Sequence, residues 1–190
     1  MANRDSDTPY IYVASLSDYN AGRLHGEWID ATQDPDDIYD DIQDMLARSP
    51  ANRRRGVHVS VPAPKPVAEE WAIHDFENFG GLTLSQYESI ENISAIAQLI
   101  EEHGEMVGEL VDHFGGLEYL DDAREALEER FAGSYDELVD WAYDELEDLV
   151  SELPEWIHNY IDYRSYARDA ELGGSIFTVS GSSQLHVFRN

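Results

Sequence analysis

The chain has 190 residues, of which 40 are acidic and 12 basic, so its formal net charge is −28. This charge argues against direct binding to nucleic acid or to anionic membranes, and the lack of cysteine excludes disulfide bonds, thiolate zinc sites and cysteine nucleophiles. Because hydrophobic residues reach 42% and no apolar run approaches the ~18 residues of a membrane span, we expect a folded, soluble, cytoplasmic protein.

The first segments with a secondary-structure signal predict a small antiparallel sheet. Residues 1–8 are polar and lack aromatic side chains, so we expect them to be disordered. Residues 10–15 are β-branched and aromatic, and residues 23–30 alternate polar and apolar side chains after a stretch rich in turn residues. The two runs predict a hairpin with a long loop.

A helix and a third strand would complete this N-terminal unit. Asp34 followed by Pro35 is typical of a helix start, since Asp caps the first turn and Pro fits the first helical position. Residues 71–76 return to strand-like alternation and would add to the hairpin, and residues 57–61 give a short strand signal within a loop-like stretch. We predict an α+β domain over residues 9–79.

The pattern over residues 85–162 is helical. Apolar residues recur at spacings of three, four and seven between Ile93 and Phe114, which predicts one helix or two short helices interrupted near Gly104. The glycine pair after Phe114 would end this stretch.

Two more helices are predicted next, separated by Gly133. Apolar residues between Leu117 and Phe131 indicate the first of them, and residues 134–137 have the sequence of a capping box, which would open the second. The buried face of this last helix would be formed by Leu138, Ala142, Leu146 and Leu149.

The chain would close with a short helix and a β-hairpin. Pro154 is typical of a helix start, and the helix would run toward Asp162. Residues 175–180 and 184–188 alternate around a Gly-Ser-Ser turn, which predicts a terminal hairpin. We therefore predict an overall α+β fold.

The negative charge lies mostly in the helical region. Residues 66–163 hold 27 acidic residues and two basic ones, a net charge of −25, whereas residues 1–65 and 164–190 have net charges of −4 and +1. Acidic side chains recur at three- and four-residue steps on the predicted helices, opposite the apolar faces. They are Glu101, Glu105, Glu109, Asp112, Glu118, Asp121, Asp122, Glu125, Glu129, Asp136, Asp140, Asp144 and Asp148.

These rows approach the charge density of a nucleic acid backbone. A four-residue step is about 6 Å along a helix axis, so four charges span about 18 Å, while one DNA strand presents a charge every ~3.4 Å. Each like-charge pair at i,i+4 destabilises a helix by about 0.2–0.5 kcal/mol. Because the only lysine of the chain is Lys65, this repulsion is left uncompensated, and we expect a cationic partner.

Three interpretations of the acidic rows are open. They imitate DNA toward a DNA-binding enzyme, they form an acidic chaperone or sequestering module for a basic nucleic-acid-binding protein, or they adapt the chain to high salt. Salt adaptation predicts acidity over the whole surface, whereas residues 164–190 are net positive.

The sequence lacks motifs for catalysis and for a resident cofactor or metal. Residues 155–158 match the ExxH spacing of a di-iron bundle, but that site requires a second copy and two further glutamates. Residues 30–44 are rich in aspartate yet lack the central glycine and terminal glutamate of a calcium loop. We expect no enzymatic activity, no cofactor and no metal site.

Three blocks of sequence resemble the ArdA antirestriction proteins carried by conjugative plasmids and transposons. Residues 10–28 contain YIYV followed by YN, residues 72–77 read AIHDFE, and residues 159–172 form the distinctive block NYIDYRSYARDAEL. The blocks occur in the family's order, and the resemblance continues through the closing hairpin. Residues 48–65 look like a local insertion.

The resemblance implies a fold and a function. Members of that family are elongated homodimers of three small domains per chain, and their surface carboxylates imitate bent duplex DNA. The resemblance therefore implies an elongated chain with an N-terminal α+β domain over residues 9–79, a helical middle domain over residues 80–116 and a C-terminal α+β domain over residues 117–190. Family members occupy the DNA groove of type I restriction–modification enzymes and so protect incoming DNA. The resemblance implies the same partner here, and a homodimer formed through a low-charge C-terminal surface of Tyr160, Tyr163, Tyr166, Ile176, Phe177 and Val179.

Overall fold

The computed structural model of the protein describes residues 7–53, 70–181 and 183–190. It has the mixed α+β architecture that the sequence predicts, and it divides into two compact units, Met1–Gly104 and Glu105–Asn190. The three-domain division stays a prediction. The strand predicted at residues 57–61 and most of the proposed insertion lie outside the described residues, as do residues 1–6 of the predicted disordered segment.

The first unit is built on a three-stranded antiparallel sheet. Strand β1 (Tyr10–Ser15) pairs with β2 (Gly26–Asp30) on one side and with β3 (Trp71–Glu77) on the other, which confirms the predicted hairpin and third strand. The predicted long loop contains a short helix, α1 (Leu16–Asn20).

Helices supply about half of the buried hydrophobic residues described in this unit. Helix α2 (Pro35–Ala47) begins at Pro35 as predicted and is followed by α3 (Pro50–Arg53). The carboxylate of Asp34 makes no capping hydrogen bond; its backbone carbonyl instead accepts from the N–H of Ile38. Helix α4 (Ile90–His103) contacts α2, and its Ser94 hydroxyl donates to the carbonyl of Gln33 at 2.6 Å.

The predicted helical break at Gly104 is confirmed. Gly104 has a φ of 84°, in the left-handed region that favours glycine, and it ends α4. The next helix, α5 (Met106–Phe114), ends at Gly115, whose φ is 115°. The acidic residues predicted for one helix are therefore divided between two.

The segment after α5 corrects one sequence prediction. A 3₁₀ turn (Leu117–Tyr119), helix α6 (Leu120–Glu125) and a π-helical turn (Ala126–Arg130) lead into a strand, β4 (Phe131–Tyr135). The prediction that Ser134 caps a helix is therefore wrong, since Ser134 is a strand residue. Pairing with a strand more than 50 residues later decides the conformation of this segment.

Three helices and two strands complete the second unit. They are α7 (Leu138–Ser151), α8 (Glu155–His158), α9 (Tyr163–Leu172), β5 (Ile176–Ser180) and β6 (Leu185–Arg189). The predicted terminal hairpin is confirmed, and β6 lies between β4 and β5 in the sheet. The helix predicted to run toward Asp162 ends at His158, and Asp162 instead caps α9 by accepting from the N–H of Ser165 at 3.0 Å.

One buried cluster of the second unit lies between its sheet and helices α7 and α9. Its buried members are Trp141, Ala142, Ala167, Ile176 and Val187. Val179 and Phe188 of the same sheet are also buried. The predicted buried face of α7 is correct at Ala142 but wrong at Leu149, whose side chain is 59% exposed. The described residues leave the last turn of α7 uncovered.

Candidate partner-binding surface

Both compact units carry a large negative charge. Residues 105–190 contain 21 acidic residues and five arginines, a net charge of −16, and residues 1–104 carry the remaining −12. Most acidic residues of the second unit have no basic residue of the same unit to pair with, because that unit has only five arginines. The candidate functional surface is therefore the set of exposed carboxylates.

The thirteen acidic residues selected from the sequence are almost all exposed. Only Asp140 is partly covered. Eleven of them lie on helical segments or turns, from Glu101 on α4 to Asp148 on α7. Glu105 and Asp136 do not: Glu105 lies in the break before α5, and Asp136 lies in the bend before α7. Their placement on helices was wrong because glycine and β4 interrupt the helical pattern there.

The exposed side of α7 holds the most regular row of acids. Asp140, Asp144 and Asp148 follow one another at four-residue steps and span about 12 Å along the helix axis. Glu147 is also exposed and was not selected from the sequence, although its spacing of three and seven residues from Asp144 and Asp140 places it beside them. Four charges over about 12 Å give a mean spacing of about 4 Å, close to the ~3.4 Å of a DNA strand.

Two acids of this row also have contacts inside the chain. The carboxylate of Asp140 accepts from the backbone N–H of Glu137 at 2.9 Å, at the start of α7. Burial raises the pKa of the Tyr135 phenol, and the negative charge of Asp144 raises it further. The Tyr135 hydroxyl donates to the backbone carbonyl of Ala132 at 3.3 Å, and Asp144 lies close to the same phenol, so Asp140 and Asp144 both face groups of their own chain.

Two further acids are paired with arginines of the same segment. Arg130 approaches Glu125 at 2.6 Å, and Arg124 approaches Asp121 at 3.7 Å. The second pair is highly exposed and contributes little, because water and salt screen such pairs. Nine acids remain when Asp121, Glu125, Asp140 and Asp144 are set aside. None of the nine has a cation partner among the described residues.

Comparison with known families identifies the chain. The sequence model of the antirestriction protein (ArdA) family matches residues 11–184. The chain belongs to the ArdA antirestriction family. A comparison with curated proteins found no match.

The six residues that the ArdA resemblance assigns to a dimer interface differ in exposure. Tyr160 is 82% exposed, and Tyr166 is also exposed. Tyr163 packs against Tyr143 with ring centroids 4.2 Å apart, and Phe177 stacks on His113 at 4.6 Å. Ile176 and Val179 are buried within the chain itself. Only the tyrosines, and part of Phe177, are available to a second copy in this conformation.

The described residues contain neither a metal site nor a helix that could cross a membrane. No group of three or more His, Asp or Glu residues within them is arranged to bind a metal ion. His158 of the ExxH sequence instead contacts the carbonyl of Leu153 at 3.1 Å. Among the helices in residues 7–53, 70–181 and 183–190, none combines the length and apolar character needed to cross a bilayer.

Proposed function

We propose that this ArdA chain is a DNA-mimic inhibitor that binds the DNA groove of type I restriction–modification enzymes. Its exposed carboxylates would take the positions of phosphates opposite lysine and arginine side chains of the enzyme. The observation that carries the proposal is the row on α7, where Asp140, Asp144, Glu147 and Asp148 have a mean spacing of about 4 Å along the helix axis. Membership of an antirestriction family supplies the biological setting.

The amount of charge suits a large DNA-binding groove. Duplex DNA carries one charge per ~1.7 Å of axis, so the −28 of one chain corresponds to about 48 Å of duplex. A homodimer would carry 56 net negative charges, which corresponds to about 95 Å, or roughly 28 base pairs. These lengths are upper limits, because acids such as Asp18 are buried and contribute nothing to the surface.

A homodimer is part of the proposal. Two strongly anionic chains repel one another, so they require a contact surface of low charge. Tyr160 and Trp156 are large exposed side chains on and beside α8, close in sequence to the net positive residues 164–190. We therefore assign the contact to the exposed tyrosines of this part of the second unit.

The inhibitor would act by binding and not by chemistry. Many weak charge contacts give an affinity that is spread over the surface and an association rate that falls with salt, since charges farther apart than ~8 Å are screened at physiological ionic strength. The enzyme would be released unchanged when the inhibitor dissociates.

Restriction of unmodified DNA in cells tests the proposal. Cells with a type I restriction–modification system are transformed with unmodified and with premodified plasmid, with and without expression of this chain. We expect transformation by the unmodified plasmid to rise toward that of the premodified one. An unchanged ratio at confirmed expression of folded protein would contradict the proposal.

The two other interpretations of the acidic rows predict different outcomes. An acidic chaperone would bind small basic proteins more tightly than it binds the restriction enzyme, and cognate duplex would not displace it from them specifically. A protein adapted only to salt would unfold at low ionic strength and would bind neither. Circular dichroism without added salt and pull-down with purified partners separate these outcomes.

A further inference from the structure

A second feature lies away from the row on α7, in a cleft of about 360 Å³ within the second unit. Helices α7 and α9 and strands β5 and β6 supply its walls. Its polar and aromatic lining consists of Trp141, Glu145, Tyr166, Asp169, Ser175 and Arg189. The volume is within the range of about 300–1,000 Å³ that is typical of small-molecule pockets.

The indole of Trp141 has an unused hydrogen-bond donor. Trp141 is 3% exposed, and its Nε1 atom is buried with no acceptor among the described residues. A buried N–H without a partner is destabilising, and native proteins contain few of them. This atom is fully buried, so a ligand in the cleft would lie beside the ring of Trp141 without reaching its N–H, and the indole signal would report on occupancy of the cleft.

The charged residues of the cleft favour a cation. Glu145 already pairs with Arg189, with 2.7 Å between Oε2 and Nη2. The carboxylate of Asp169 has no cation partner among the described residues. Two carboxylates and one guanidinium leave the cleft with a net charge of −1, so a cationic group would be attracted to Asp169.

The aromatic lining favours a planar cation over a compact one. The ring of Tyr166 stacks on Trp141, with centroids 5.8 Å apart and planes inclined by 15°, and remains 39% exposed. Tyr166 and Asp169 are three residues apart on α9, so their side chains lie on the same side of that helix. A guanidinium can stack on an aromatic ring while donating two hydrogen bonds to a carboxylate, which an ammonium group cannot do.

We propose that this cleft binds an arginine residue of a basic partner protein. The guanidinium would pair with Asp169 and stack on Tyr166, beside the ring of Trp141. This deepens the proposed function, because it assigns a specific contact to a partner whose DNA groove is rich in basic side chains. The partner would then be bound by a cleft for one side chain as well as by the many exposed carboxylates.

Nuclear magnetic resonance of the tryptophan indoles tests the proposal directly. The chain has four tryptophans, so a ¹⁵N-labelled sample gives four indole N–H signals, assigned by replacing Trp28, Trp71 and Trp156 with Phe one at a time. The probe is N-acetyl-arginine-N-methylamide, and the neutral analogue with citrulline is its matched control. We expect a saturable shift of the Trp141 signal with the arginine probe, and binding at least tenfold weaker with citrulline.

Two charge variants complete the test. Asp169→Asn should weaken binding of the arginine probe at least tenfold, whereas Asp148→Asn removes the same charge away from the cleft and should change it less than twofold. Both residues are exposed, so neither change should prevent folding. No shift of the Trp141 signal, or equal effects of the two variants, would overturn the proposal.

Failure of this inference can be told from failure of the proposed function. If the wild-type chain inhibits restriction but neither the probe titration nor Asp169→Asn gives the expected result, the arginine site is wrong and the DNA-mimic function stands. If the probe binds as expected and restriction is unaffected by the wild-type chain, the site is correct and its partner is a different basic protein.

Discussion

The carboxylate of Asp140 accepts a hydrogen bond from the backbone N–H of Glu137, with 2.9 Å between Oδ2 and N. This contact closes the first turn of α7 and gives Asp140 a role in folding. Asp148, two helical turns later, makes no side-chain contact of this kind among the described residues. The two acids look equivalent in the sequence, yet only Asp140 is expected to stabilise the fold.

Replacing Asp140 with alanine should destabilise the protein. Loss of a capping contact at a helix N-terminus costs about 0.5–2 kcal/mol. Asp148→Ala is the matched control, because it removes a like charge from the same row and should leave the free energy of unfolding unchanged or raise it by about 0.2–0.5 kcal/mol. Urea denaturation of both variants measures the difference, and equal destabilisation would contradict the assigned roles.

Removing charge from the surface without disturbing a fold contact should weaken inhibition. Asp136, Glu147 and Asp148 are exposed and lack the contacts that Asp140 and Asp144 make. The variant Asp136→Asn, Glu147→Gln, Asp148→Asn should bind a type I enzyme at least tenfold more weakly, while any single change should have less than a threefold effect.

A charge-preserving variant controls for shape in that experiment. Asp136→Glu, Glu147→Asp, Asp148→Glu alters the same three side chains but keeps the charge, and should inhibit within about threefold of the wild type. Inhibition constants from an ATP-dependent DNA cleavage assay compare the variants. If the neutral triple variant inhibits as well as the wild type, this face of α7 is not part of the mimic.

The buried Asp18 predicts an acid-sensitive contribution to stability. Burial acts to raise the pKa of this carboxyl, but hydrogen bonds from Ser49, Arg23 and Ser15 and the charge of Arg23 outweigh it and hold the pKa below its ordinary value. The Nε atom of Arg23 donates at 2.8 Å. Because the folded-state pKa is depressed, this stabilisation is present above the unfolded-state pKa of about 3.9 and is lost as pH falls toward the lower folded-state value.

Substituting Asp18 with Asn should therefore act mainly at neutral pH. We expect the variant to be less stable by about 1–3 kcal/mol at pH 7, because Arg23 loses its charged partner. The difference from the wild type should shrink as pH falls below about 4. Thermal unfolding at several pH values checks this, and a difference that is constant with pH would show that the charge of Asp18 is not involved.

The proposed dimer contact predicts a selective effect at Tyr160. Tyr160→Asp places a negative charge in the low-charge surface and should shift the dimer toward monomer by at least tenfold in dissociation constant. Tyr87→Asp is the matched control, since Tyr87 is also a highly exposed tyrosine but lies in the first unit. Sedimentation equilibrium of both variants against the wild type measures the change, and equal behaviour of all three would remove Tyr160 from the contact.

Local signals in the sequence predicted much of this fold. β-branched and aromatic residues identified β1, alternation identified β3, Pro35 marked the start of α2, and Gly104 marked the break after α4. These features depend on residues close together in the chain. The exposure of the acidic rows was also predictable, because an apolar stripe on one side of a helix leaves the charged side to solvent.

The missed elements depend on contacts between distant residues. Strand β4 has five residues and no clear alternation, and it becomes a strand by pairing with β6, as in the match of Tyr135 with Leu185. Helix α9 is mostly polar and buries only Ala167, so its apolar pattern was too weak to identify. Helix propensity and the spacing of apolar residues are local signals, and strand pairing between distant residues can override them.

The cleft beside Trp141 could not be predicted from the sequence for the same reason. It joins residues from α7, α9 and β6 that are up to 48 positions apart, and no motif links them. A tryptophan in a helix predicts a core residue, but only the structure shows that its indole N–H lacks an acceptor. Whether a buried donor has an acceptor depends on tertiary packing, and the spacing of residues in the sequence does not reveal it.

Displacement of DNA from a purified type I restriction–modification enzyme tests the central claim most directly. A fluorescent duplex that contains the recognition site is bound to the enzyme, and this protein is added while fluorescence anisotropy is recorded. We predict full displacement with the concentration dependence of simple competition, reversed by excess unlabelled duplex and weakened as salt increases. Binding of this protein to the enzyme while the duplex stays bound would contradict the claim.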